Sequence, residues 1–79
     1  MHHILLERDA ADEPWRQTSP VLKHPPARTL ATRFLAHTLV AMTTGADGQL
    51  QCDYAVRRPD GTAAQARILL VGSCADGAC

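Results

Sequence analysis

The most regular apolar pattern begins after His24-Pro25-Pro26, where proline suits the first turn of a helix. At 100° per residue, Ala27, Leu30, Ala31, Phe34, Leu35, Thr38, Ala41 and Met42 share one face of about 140°. Arg28, Thr29, Thr32, Arg33 and Ala36 fill the other side. The pattern predicts a helix over 26–42 that ends near Gly45, a residue able to adopt the left-handed conformation of a helix end. Leu39 and Val40 fall outside the apolar face. They support a rival reading in which 38–44 is a strand, because a short run of Val, Thr and Leu suits either state.

Beyond Gly45-Ala46-Asp47-Gly48 the period changes from 3.6 to 2. Leu50, Cys52, Tyr54 and Val56 alternate with Gln49, Gln51, Asp53, Ala55 and Arg57, which predicts a half-buried strand. Arg58-Pro59-Asp60-Gly61-Thr62 then reverses the chain, with proline presetting φ and glycine supplying a positive φ. The returning strand, 64–71, places Ala64, Ala66, Ile68 and Leu70 on one face and Gln65, Arg67, Leu69 and Val71 on the other.

Nearer the start, Ile4-Leu5-Leu6-Glu7-Arg8 reads as a short strand and Asp9 to Glu13 as a polar loop. A second short strand is expected at 15–18, confined to an edge or ended by Pro20. The predicted fold class is α+β: a single small domain over 1–72, in ββαββ order, with one helix packed on an antiparallel sheet. Its expected core joins Leu30, Phe34, Leu50, Tyr54, Val56, Ile68 and Leu70. Residues 73–79, Ser-Cys-Ala-Asp-Gly-Ala-Cys, offer no side chain large enough to anchor and are expected to form a flexible tail.

Composition narrows the function. With 79 residues, 46% of them hydrophobic, only one small core is available, so stability should be modest. Eight basic and eight acidic residues give a formal charge of zero, which removes the field that drives non-specific binding to nucleic acid or anionic membranes. Arg28, Arg33, Arg57 and Arg58 lack an aromatic stacking platform beside them, and no nucleic-acid partner is expected. Arg outnumbers Lys seven to one, Ala occurs 13 times and Asn is absent, a bias towards GC-rich codons expected of a bacterial or phage genome. No apolar run is long enough for a membrane span, and Met1-His2-His3 does not resemble a secretory signal, so a cytoplasmic location is expected.

Chemistry-bearing groups are sparse. The usual nucleophile, metalloprotease and phosphate-loop signatures are absent from the sequence. Asp9, Asp12 and Glu13 read as a solvated loop, His2 and His3 as a frayed terminus, and Cys52 as a small core residue. His37 falls at the border of the apolar helix face. Cys74 and Cys79 form one close pair, while a structural metal site requires four ligands; no metal, cofactor or catalytic residue is assigned. The short tail of Cys, Ser and Gly is similar to the modifiable end of precursors of ribosomally made, post-translationally modified peptides. That resemblance covers seven residues and would make Cys74 and Cys79 the sites of modification.

Leu69 and Val71 on the outer sheet face, with Leu39 and Val40 on the wrong side of the helix, leave apolar surface that one chain does not bury. Zero net charge removes the repulsion that would keep such surfaces apart. The leading expectation is a small non-enzymatic protein interaction module, a homo-oligomer or an accessory subunit of a larger assembly. Its candidate contact residues are Val40, Leu69 and Val71. The alternative is a precursor or redox-active peptide acting through Cys74 and Cys79.

Overall fold

The period-2 segments fold as strands, and the turn between the last two behaves as its residues require. Arg58 N–H donates to Thr62 O at 2.8 Å, Gly61 N–H donates to Arg58 O at 2.8 Å, and Gly61 holds φ at +90°. The computed structural model describes residues 2–45 and 48–71, with Val71 described by its backbone alone. In chain order the elements are β1 (His2–Arg8), β2 (Arg16–Gln17), α1 (Pro26–Arg33), β3 (Ala36–Thr44), β4 (Leu50–Arg57) and β5 (Ala63–Val71). All five strands form one sheet in the order β2-β1-β5-β4-β3, antiparallel at every join.

One helix on an antiparallel sheet is therefore present, but the order is ββαβββ, not ββαββ. The helix expected over 26–42 stops at Arg33. Its last bond runs from Phe34 N–H to Leu30 O at 3.1 Å, and the next amide, Leu35 N–H, already donates to Arg57 O of β4 at 2.8 Å. Phe34 itself is extended, at φ −128° and ψ 148°. The stretch His37-Thr38-Leu39-Val40 is rich in β-branched residues that lose little in a strand and gain a ladder with β4 there. The rival reading of 38–44 as a strand is the one the fold adopts.

Since β2 and β3 lie at opposite edges, the segment between them must cross the whole sheet, four strand spacings or about 19 Å. α1 lies in that crossing and covers one face. Leu30 and Phe34, four residues apart, turn inward with Thr29, while Ala27, Ala31 and Leu35 of the expected helix face stay exposed. The core joins Leu5, Leu30, Phe34, Cys52, Val56, Ala64, Ala66 and Ile68, with Leu50, Tyr54 and Leu70 partly buried against it. Of the seven expected core residues, Leu30, Phe34, Val56 and Ile68 belong to this cluster, and Leu50, Tyr54 and Leu70 pack against it.

The N-terminal histidines need a correction. His2 and His3 are the first residues of β1, paired with Val71 and Leu70 of β5, and His3 is fully buried instead of frayed. Strand alternation sends His3, Leu5 and Glu7 to the helix side. Among the described residues, no helix is long and apolar enough to cross a membrane.

Candidate functional site

β3 is the outermost strand on its side, and all nine of its residues are exposed. Residues directly opposite each other on antiparallel strands point to one face. His37, Leu39, Met42 and Thr44 therefore follow Val56, Tyr54, Cys52 and Leu50 to the helix side, and Ala36, Thr38, Ala41 and Thr43 take the other. The register shifts between Leu39 and Ala41, so Val40 is an inserted residue, a β-bulge. Val40 borders a cleft with Arg8, Trp15, Asp53, Tyr54, Ala55 and Gln65; Arg8, Asp53, Ala55 and Gln65 point away from the helix, and Val40 shares their face. α1 is only eight residues long: its Leu30 enters the core and its Thr29 meets His3 of β1, while the helix-side residues of β3 stay in the open. Of the five large hydrophobic residues exposed among the described residues, Leu35, Leu39, Val40 and Met42 lie in this one stretch, at 65%, 47%, 63% and 58% exposure. The strand contains no Asp, Glu, Lys or Arg.

Two of the predicted contact residues, Val40 and Leu69, lie apart. Leu69 is half-buried on the face away from the helix, beside Ile4 and Gln51, two strands from Val40. The ground between them is polar and tied down. Arg67 Nε and Nη2 donate to the two oxygens of Asp53 at 2.7 and 3.1 Å, and the Trp15 ring packs on the guanidinium groups of Arg8 and Arg67, 4.1 and 4.3 Å from its centre. Arg8 also donates to Gln65 at 2.6 Å. These two cation contacts to one indole hold the loop 9–15 over the sheet. The side chain of Val71, and Cys74 and Cys79, lie outside the described residues.

Other chemistry-bearing groups are used inside the fold. Glu7, 7% exposed, accepts from Thr18 Oγ1 at 2.6 Å and lies 3.6 Å from Arg33 and from Arg58. It thus fastens the end of α1 and the last turn to β1. Asp9 of the expected solvated loop is itself bonded to Arg58. Thr29 Oγ1 stands between His3 Nε2 at 2.8 Å and His24 Nε2 at 2.7 Å, while His3 Nδ1 is buried without a partner. One hydroxyl hydrogen serves one ring only. The tautomer that strands no N–H has His3 Nε2–H donating to Thr29 and Thr29 donating to His24, leaving a bare acceptor at Nδ1. Burial, and then the charge His24 can carry, hold the pKa of His3 below its ordinary value. Cys52 is buried in the core as expected, and burial together with the neighbouring Asp53 pushes its thiol pKa up, the opposite of an activated nucleophile. His37 is exposed on β3 with its ring edge-on to Tyr54 at 6.1 Å. No group of three His, Cys, Asp or Glu among the described residues gathers at a point a metal could occupy.

Comparison with protein-family models, with curated proteins and with solved structures finds no match for this chain. Leu39 and Val40 are exposed, as their place outside the apolar helix face implies, whereas Leu35 and Met42, expected on the covered face of a helix, stand exposed beside them because the chain is extended there.

Proposed function

We propose that this chain is a small, non-enzymatic, cytoplasmic protein interaction module whose docking element is β3. One observation carries the reading: a nine-residue edge strand, uncharged and exposed along its length, presents Leu39, Val40 and Met42 beside a row of backbone groups that no other described strand pairs. Such an edge is a ready template for another strand, supplying main-chain hydrogen bonds for affinity and alternate side chains for fit. The buried Glu7, the His3–Thr29–His24 set and the raised Cys52 thiol are accounted for by packing, so no catalytic role is assigned to them.

Native mass spectrometry of the protein purified gently from its own host tests this. The expected result is an assembly heavier than a single chain that dissociates in the Val40→Lys variant. A lone chain in both preparations overturns the reading.

A further inference from the structure

The inference rests on β3 as the docking edge and concerns what occupies it. We propose that the occupant is a second copy of this chain, its β3 paired antiparallel to the first about a two-fold axis between Val40 and Ala41. The two five-stranded sheets then join as one sheet of ten.

The register follows from the bulge. Helix-side residues of β3 are His37, Leu39, Met42 and Thr44; Thr38, Val40, Ala41 and Thr43 face the other way. An antiparallel partner must match face to face at each opposed pair. With the axis between Val40 and Ala41, Leu39 faces the partner's Met42, Val40 the partner's Ala41, Thr38 the partner's Thr43, and His37 the partner's Thr44. Every pair matches. An axis through Val40 sets Thr38 against the partner's Met42 across faces, and one through Ala41 sets Thr38 against the partner's Thr44. Shifting the pairing by two residues opposes Leu39 to the partner's Val40, or Ala41 to the partner's Met42, with the same conflict. The insertion that disturbs the ladder with β4 is thus what makes this strand complementary to itself in one register.

Three further observations favour a second copy over another kind of protein. The strand lacks ionised Asp, Glu, Lys and Arg, and the whole chain has a formal charge of zero, so two copies meet without repulsion. The paired threonines and the Leu–Met pairs are the contacts that stabilise cross-strand neighbours. The opposite sheet edge is blocked by β2, its flanking prolines and Arg16, so association closes at two chains instead of extending as a fibre. The two-fold stands perpendicular to the sheet. Both copies of α1 therefore lie on one side, and Leu39 and Met42 from each chain form a four-residue apolar cluster between them.

Sedimentation of the purified recombinant chain at micromolar concentration should give twice the 8.5 kDa chain mass, and Leu39→Lys should return it to a single chain with its circular dichroism unchanged. The register is tested by disulfide trapping in a Cys74→Ser, Cys79→Ser background. Thr38→Cys with Thr43→Cys should cross-link into a covalent dimer, and either substitution alone should not. Within one chain these two positions are about 16 Å apart along the strand, beyond disulfide reach. A single chain at all concentrations, or a dimer that survives both Leu39→Lys and Val40→Lys, overturns the second copy. If the recombinant chain is monomeric while the host preparation holds a β3-dependent complex with a different protein, the occupant is wrong and the docking edge stands.

Discussion

The two margins of the sheet have opposite treatment. Along the outer side of β1, the backbone is met by an irregular segment: Thr18 N–H donates to Leu5 O at 2.9 Å, Leu5 N–H donates to Ser19 Oγ at 3.0 Å, and His3 and Leu22 exchange bonds of 2.8 and 2.9 Å. β2 itself has two residues, with Pro14 and Pro20 near its ends and Arg16 on its exposed surface. These are the devices by which a sheet edge refuses further strands. β3 has nine residues, no proline, no charge, and one bulge that, repeated in a second copy, restores face matching. The difference teaches that protection here is local and selective. A chain this short covers one edge with its own loop and leaves the other in a state suited to pairing.

The comparison can be broken most forcefully with two leucines of different burial. Leu5 on β1 is fully buried, whereas Leu39 on β3 is 47% exposed. Leu5→Ala should cost roughly 2–5 kcal/mol in the unfolding free energy, from lost transfer and the cavity left behind. Leu39→Ala, measured by urea denaturation at concentrations where the chain is monomeric, should stay within about 0.5 kcal/mol of the wild type. Equal losses would mean that the β3 side is as well covered as the β1 side.

A smaller effect is expected from the polar fastening on the protected side. Glu7→Gln keeps the shape but removes the charge that faces Arg33 and Arg58 and accepts from Thr18. Because Arg33 is partly solvated, the loss should be about 1–2 kcal/mol, read as a shift of the urea midpoint at constant slope. An unchanged midpoint would remove Glu7 from the account of what secures that side.

The smallest expected effect is a pH dependence confined to the β1 side. His3 is neutral in the fold to a lower pH than in the unfolded chain, where its ordinary value is 6.5. The unfolded state therefore binds the proton first. Stability is full above pH 6.5 and falls as pH drops below it, levelling only beneath the lowered value in the fold. Melting temperatures measured from pH 8 to 5 should decline in the lower half of that range, and His3→Leu should flatten the decline. An identical slope in the variant would assign the dependence to other groups.

Local pattern in the sequence determined the β4–β5 hairpin, with its alternation from Leu50 to Val56 and its Pro59-Asp60-Gly61 turn, as well as the start of α1 at Pro26 and the seven residues that meet in the core. Those features rest on periodicity and turn chemistry, which neighbouring residues decide among themselves. The end of α1 was not legible. Ala36, His37, Thr38, Leu39, Val40, Ala41 and Met42 fit a helix face and a strand about equally, and the choice was made by the free edge of β4, whose carbonyls and amides needed partners. The burial of His3 likewise depended on β5 returning to pair with β1 and on Thr29 arriving to meet the imidazole. The candidate interface followed the same rule: Leu39 and Val40 stood out as misplaced apolar residues, but their union with Met42 on one exposed edge required the tertiary decision that turned the second half of a predicted helix into β3.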